Sequence, residues 1–492
     1  MGVFTRPITP SPHSWHRRSQ TQVVEMISKL AARIERDWLG EKEVPADALY
    51  GIATVRAVEN FPISGEMPIP EFIVATTMVK KAAAVANMRT DRLIDEKGLA
   101  IRDAADEIVN GKWHDQFVVD AFQAGAGTSH NMNANEVIAN RALELLNRPR
   151  GDYEYVHPND HVNLSQSSND VIPTAIRLTG LNLGGRLLSS VAELEDVLWK
   201  KAEEFNLILK SGRTHLRDAV PIRLGQEFGA YAVTVAKCER RILAALECLK
   251  ELNIGATAIG TGINSTVEYR VFAIEALKEY TGIENLRPPD DWVEITQSAG
   301  DFLEVSAALR NTAAALLKIA GDLKLMFSGP ETGFNEIELP AVQPGSSIMP
   351  GKVNPSMVEM LEMVCFQVIG DDEAIAHAAR SGQMELNVYT PVIARNLFHS
   401  MNILANGIIA FTGKCVRGTT ANRARCRELA ERSLGLVTAL TPKIGYQAAA
   451  EVALEAEKTG KSAKEIILEK GILTPQEIEE LLDPLRLTEP GV

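Results

Sequence analysis

The chain is expected to be mainly α-helical, with a central elongated helical bundle, and three observations predict this. Of its 492 residues 45% are hydrophobic but only 5% are aromatic. The interior is therefore built mainly from Ala, Leu, Ile and Val, a stock that suits packed helices better than a sandwich or barrel. Val305, Leu309, Thr312, Leu316, Ile319, Leu323 and Met326 recur at alternating steps of four and three, the spacing of a bundle seam. Leu397, Met401, Leu404, Ile408 and Phe411 repeat it, and Leu187, Val191, Leu194 and Leu198 show it more briefly, so several long helices should lie side by side.

Taken in order, residues 1–30 carry Arg6, Arg17 and Arg18 and no acid before Glu25. They lack a clear amphipathic helix, and read as a disordered N-terminal extension or an upstream start more than as a transit peptide. Residues 31–165 form an N-terminal domain that ends beyond the irregular stretch HPNDHVN, where Pro158 and Asn159 interrupt regular structure. Pro173, just after SSND, is placed to start a helix at its first turn, and residues 166–422 form the central bundle domain. The charge-rich Arg423–Arg432 segment and the short pieces ending in LLDPLRLTEP make a small C-terminal domain, residues 423–492.

The formal net charge of −13 argues against nucleic acid as the principal partner, because phosphate binding needs clustered Lys and Arg. No apolar run approaches the roughly 20 residues of a membrane span, so no membrane partner is expected. Cys238, Cys248, Cys365, Cys415 and Cys426 form no C-x-x-C pair and are odd in number, which fits a reducing cytoplasm better than a disulfide framework.

The most informative stretch is GSSIMPGKVN, Gly345–Asn354. Gly345, Pro350 and Gly351 break regular structure, leaving Ser346 and Ser347 on a loop whose N–H groups can face a ligand. Lys352 supplies positive charge, and Asn354 both a donor and an acceptor. The alternative is a solvated surface loop. Three further segments concentrate polar groups among small residues. QAGAGTSHNMNANE, Gln123–Glu136, sets Thr128 after a glycine pair, as a helix start or an anion-facing loop. NLSQSSND, Asn163–Asp170, offers Ser167, Ser168 and Asn169 as caps or carboxylate binders. SGRTHLRDAVP, Ser211–Pro221, contributes Thr214 and His215 in a polar run with Arg213, Arg217 and Asp218. Glu359 reads by itself as part of a solvated helix face after Pro355. GATAIGTG, Gly255–Gly262, has no following Lys-Ser or Lys-Thr, which speaks against a phosphate loop. His157 and His161 have no cysteine or carboxylate pattern around them that would point to zinc.

GSS-x-MP-x-K-x-N resembles the signature loop of the fumarase/aspartase superfamily, and the other three segments resemble its remaining regions in the same order. The resemblance runs from about Arg33 to the C-terminus. It implies a three-domain fold whose helices form the core of a homotetramer, and active sites each built from three chains. It also implies β-elimination that releases fumarate, with Ser346 as base and an aci-carboxylate intermediate. Lys352 and Asn354 are then expected on one substrate carboxylate, with Thr128, Ser167, Ser168 and Ser347 on the other. Asn169 and His215 would orient the leaving group, Thr214 and Met349 would line the substrate, and Glu359 would orient His215. No metal or organic cofactor is needed by this scheme.

Within the family, GAGTS, VCFQVIGDD, GQMELNVYTPVI and TGKSAKEIILEKGILT resemble the aspartase branch. The expected substrates are therefore L-aspartate, fumarate and ammonium. Ser168 and Gly351 are common in fumarases, which keeps the hydration of fumarate to malate as the alternative; a non-catalytic helical scaffold is a more distant one. Arg217 departs from the glutamine usual in both branches.

Overall fold

The computed structural model describes residues 31–433, 435–481 and 483–490. The expected extension, residues 1–30, lies outside them. The chain forms two compact units, each from three segments: one holds residues up to Arg186, Ile242–Leu309 and Gly370–Asn402, the other Leu187–Arg241, Arg310–Ile369 and the chain from Ile403 onward.

The mainly α expectation holds. In chain order the helices are α1 (Ile52–Asn60), α2 (Pro70–Arg89), α3 (Asp95–Val109), α4 (Thr128–Leu145), α5 (Ser168–Glu204), α6 (Leu224–Glu247), α7 (Val267–Thr281), α8 (Glu294–Gln297), α9 (Gly300–Phe327), α10 (Ser356–Arg380) and α11 (Thr390–Lys414). Six shorter helices follow: α12 (Arg423–Arg432), α13 (Gly435–Ile444), α14 (Tyr446–Thr459), α15 (Ala463–Glu469), α16 (Pro475–Leu481) and α17 (Pro484–Thr488). A helical reading contains no strands, and the structure adds three antiparallel pairs: β1 (Ala32–Asp37) with β2 (Gly40–Pro45), β3 (Leu209–Thr214) with β4 (Arg217–Arg223), and β5 (Ile337–Glu338) with β6 (Thr420–Ala421). The last pair joins segments far apart in sequence, a pairing local periodicity cannot reveal.

The long helices α5, α6, α9, α10 and α11 each contribute residues to both units. At 1.5 Å per residue α5 is about 55 Å long. Every residue of the three expected seams is at most 4% exposed. Within the first unit, Arg177 on α5 pairs with Asp301 on α9 at 2.7 Å, the Ser306 hydroxyl of α9 donates to Asp372 of α10 at 2.6 Å, and Asp371 meets His399 of α11 at 2.7 Å. Within the second, Tyr231 of α6 donates to Asp322 of α9 at 2.8 Å and Lys324 to Glu362 of α10 at 2.7 Å.

Pro173 does not start its helix. α5 begins at Ser168 and Pro173 lies inside it. A proline offers no N–H to the carbonyl four residues back; that carbonyl, of Asn169, instead accepts from Asn253 Nδ2 at 3.2 Å.

The first unit's core gathers Leu49, Ile101, Ile108, Phe117, Val137, Ile138 and Leu143. Glu136, buried on α4, accepts from the N–H groups of Gly51, Ala53 and Thr54 and from the Thr54 hydroxyl. It thus caps α1 from another helix. Burial pushes its carboxyl up to about 7 despite these donors. In the C-terminal segment Val437, Leu440, Val452, Ile466, Ile467 and Ile478 form a separate cluster, and Ser462 and Glu465 make a capping box on α15. Among the described residues no helix is long and apolar enough to cross a membrane.

Candidate active site

The expected site residues fall into one group in the first unit and two groups plus Glu359 in the second. In the first unit, Thr128 opens α4 directly after Ala126 and Gly127, both in the left-handed region (φ 59° and 70°). A Cβ on Gly127 would lie 2.9 Å from Ile172 of α5, so only glycine lets the start of α4 approach α5 this closely. The Thr128 hydroxyl donates to Gly125 O at 3.1 Å and is exposed. The Ala126 N–H donates to Val388 O at 2.8 Å, which brings GAGTS against GQMELNVYTPVI, two of the segments that carry the resemblance to the aspartase branch.

Ser167 precedes α5 and its hydroxyl accepts from Asn169 N at 3.2 Å. Asn169 Nδ2 donates to Ala258 O at 2.7 Å. Beneath them lies Asp170, fully buried, whose carboxylate accepts from the N–H groups of Ser167, Gly255 and Thr257, each at 2.9 Å. Burial raises its carboxyl to about 6 against the pull of these donors. The glycine run Gly255–Gly262 thus serves as the platform for this turn. Ser168 is the first residue of α5 and is partly exposed. A cavity of about 190 Å³ walled by Phe72, His130, Ile172 and Phe398 lies behind the Gln123–Gly127 turn, and none of Thr128, Ser167, Ser168 or Asn169 lines it.

In the second unit, Thr214 and His215 sit at the tip of the β3–β4 hairpin, both exposed. Thr214 pairs with Arg217, and the two turn residues, His215 and Leu216, have φ of 57° and 58°. A two-residue hairpin turn demands that conformation, which residues other than glycine adopt at a cost. The hairpin base is anchored by charge. Glu336, fully buried, accepts from Arg213 Nη1 at 3.0 Å and lies 3.3 Å from Lys210 Nζ; Lys210 also meets Glu227 at 2.9 Å, and Arg213 stacks on Phe334 at 4.1 Å. Arg217 is exposed and has no ion-pair partner among the described residues.

The Gly345–Asn354 loop is closed on itself. Gly345 N donates to Lys352 O at 2.8 Å and Asn354 Nδ2 to Gly345 O at 2.6 Å. A Cβ on Gly345 would lie 2.5 Å from Lys352 O. The closure turns two N–H groups onto one hydroxyl: Ser346 Oγ accepts from Ile348 N at 3.2 Å and Met349 N at 3.0 Å. Ser347, Met349 and Lys352 are exposed. Glu359 lies exposed in the first turn of α10, and among the described residues no hydrogen bond joins it to His215.

Sequence reasoning missed Asp170, Glu336 and Lys210, and Lys80, whose Nζ meets Asn163 and Gln166 just before Ser167. Asp170 lies within the quoted NLSQSSND and Lys210 directly before SGRTHLRDAVP, whereas Lys80 and Glu336 lie outside every quoted segment. His157 and His161 are spent locally: His157 Nδ1 accepts from the N–H groups of Asn159 and Asp160, and His161 Nδ1 accepts from His157 N. Among the described residues no group of three or more His, Cys, Asp or Glu is arranged to hold a metal. The five cysteines are free, and burial raises the thiols of Cys365, Cys415 and Cys426 to about 12.

Residues 40–370 match the Lyase family, and residues 436–489 match the Fumarase C C-terminus family. Aspartate ammonia-lyase of Bacillus subtilis (strain 168) is 50% identical over 460 residues, which cover 94% of this chain and 97% of that protein. Aspartate ammonia-lyase of Escherichia coli (strain K12) is 46% identical over 462 residues, covering 93% and 96%. Among solved structures, a fumarate lyase:delta crystallin from Brucella melitensis superposes with a TM-score of 0.91 at 48% identity over 94% of this chain and 100% of that one. A class II fumarase from Schistosoma mansoni gives 0.89 at 35% identity with the same coverage. With its four site segments, its long helices and near-complete coverage of these relatives, the chain belongs to the fumarase/aspartase superfamily.

Proposed function

We propose that the protein catalyses the reversible elimination of ammonia from L-aspartate to give fumarate and ammonium. The observation that carries this is the identity of 50% over 94% of the chain to an aspartate ammonia-lyase, against 35% to a class II fumarase. The contact between GAGTS and GQMELNVYTPVI supports it, because two segments of the aspartase branch lie together beside Thr128.

In this reading Ser346 removes a proton from the carbon next to one substrate carboxylate. A serine hydroxyl is a weak base, so its oxyanion needs donors already in place. The N–H groups of Ile348 and Met349 aimed at Ser346 Oγ meet that need. The electron pair passes into the carboxylate as an aci-carboxylate dianion, which Thr128, Ser167, Ser168 and Ser347 stabilise by donation. Its collapse forms the carbon–carbon double bond and expels ammonia, oriented by Asn169 and His215. Lys352 and Asn354 hold the other carboxylate, Thr214 and Met349 line the substrate, and Glu359 orients His215. No metal or organic cofactor enters these steps.

The working form is a homotetramer with each site drawn from three chains, and residues 31–165, 166–422 and 423–492 are its three domains. Exposure of Thr128, His215, Lys352 and Glu359 in one chain supports shared sites, as does the lack of a bond between His215 and Glu359. Five free thiols agree with a cytoplasmic protein. Purified protein is given L-aspartate and L-malate separately and fumarate is followed by its ultraviolet absorbance. Aspartate should yield fumarate; rapid production from malate alone would establish the fumarase reading instead.

A further inference from the structure

Lys80 lies in the middle of α2 with no exposed surface, and a buried ammonium persists only where partners answer it. Its Nζ donates to Asn163 Oδ1 at 2.7 Å and Gln166 Oε1 at 3.0 Å. The Asn163 oxygen also accepts from Asn131 and Asn135 of α4, each at 3.2 Å. With both oxygens turned to Lys80, the amide nitrogens face the backbone: Gln166 Nε2 donates to Val162 O and Leu164 O, and Asn163 Nδ2 to Gln166 O at 3.3 Å. One cation therefore shapes the turn before Ser167 and ties it to the helix that Thr128 opens. Its charge also acts on Asp170, which gathers the N–H groups of Ser167, Gly255 and Thr257.

We propose that Lys80 is a positioning residue for the elimination: its ammonium keeps Asn163 and Gln166 turned inward, and so holds Ser167, Ser168 and Asn169 in place for the substrate carboxylate. This rests on the placing of those three residues at the substrate. Burial lowers Lys80 to about 7, with Asp170 opposing, and raises Asp170 to about 6, with Lys80 among the groups opposing. The other titratable groups that act on Lys80 or Asp170 are shifted away from neutrality or stay charged there. Burial holds His130 of α4 neutral, down to about 3; on α7, Tyr269 is held neutral and Arg270 stays cationic. The charge of Lys80 is one of the causes that draw the Asp170 carboxyl down against burial, so removing it raises that carboxyl's pKa. Asp170 would then protonate at higher pH and release its three N–H groups.

Lys80→Met keeps the volume and removes the charge; Lys80→Arg keeps the charge. With L-aspartate as substrate, K80M is expected to lose about tenfold or more in kcat/KM, and the acid limb of its pH profile should move upward by about one pH unit. K80R should keep the parent's limb whatever its turnover. Parent turnover in K80M, or equal losses in both variants with the limb unmoved, would overturn the proposal. If K80M does not fold, Gln166→Leu decides: a fall of about tenfold with the limb in place supports the role, and parent turnover opposes it. Ser168→Ala tests the site placing by itself. Parent kinetics in S168A would overturn the placing, whereas a loss in S168A beside parent behaviour in K80M would overturn only the role of Lys80.

Discussion

At the scale of single residues, Ser346 is distinguished by what points at it. Two backbone N–H groups converge on its oxygen, and the loop that supplies them is closed by Gly345, whose missing Cβ leaves room for the carbonyl of Lys352. Ser346→Ala is expected to lower turnover by about 10³-fold or more while leaving the melting temperature near the parent's, because Ser346 is partly exposed. Assay and thermal melt of the same preparation check both halves, and near-normal activity would refute the assignment of the base. Ser346, Lys352 and Asn354 were legible in sequence because they cluster within ten residues among helix breakers. Lys80 was not: in KKAAA it looks like any lysine on a helix surface, and only the fold shows it fully buried beneath Asn163 and Gln166.

At the scale of elements, charge pairs register neighbouring helices. Glu107 on α3 accepts from Arg141 of α4 at 2.6 and 3.0 Å and from Trp113 Nε1 at 2.9 Å. The hydrogen bond from Arg141 is the leading cause that holds its carboxyl down to about 2, from an ordinary 4.5. A depressed folded pKa contributes stability that is present above the unfolded value and lost as pH falls from about 4.5 toward 2. The pair is partly exposed, so the contribution is discounted for solvent screening: Glu107→Gln should cost about 1–2 kcal/mol at pH 7. Urea unfolding at pH 7 and at pH 3 checks this, and a gap that fails to narrow at pH 3 would count against it. The hairpin presenting His215 shows the limit of local reading. Nothing in RTHL resembles the Asn-Gly or Asp-Gly of a common two-residue turn, and the turn is held by Glu336, more than a hundred residues away, gripping Arg213 and Lys210.

At the scale of the whole molecule, the proposed sharing of each site among three chains has a direct consequence. S346A and His215→Ala proteins, each inactive alone, should recover activity when unfolded together and refolded as mixed tetramers, because some sites then draw both intact residues from different chains. Recovery absent in a verified mixed tetramer, or an active monomer in sedimentation, would contradict shared sites. The sequence by itself determined the helical class, the three buried seams and the loop carrying the proposed base, since each is written in local spacing: heptads for the seams, glycine and proline for the loop. Only the tertiary structure decided where α5 begins, that GAGTS lies against the stretch ending in TPVI, and that Lys80, Asp170 and Glu336 are fully buried behind the segments expected at the site. Those features depend on which distant groups meet once water is excluded, and burial changes the charge and hydrogen-bonding of a side chain in ways its neighbours in sequence do not record.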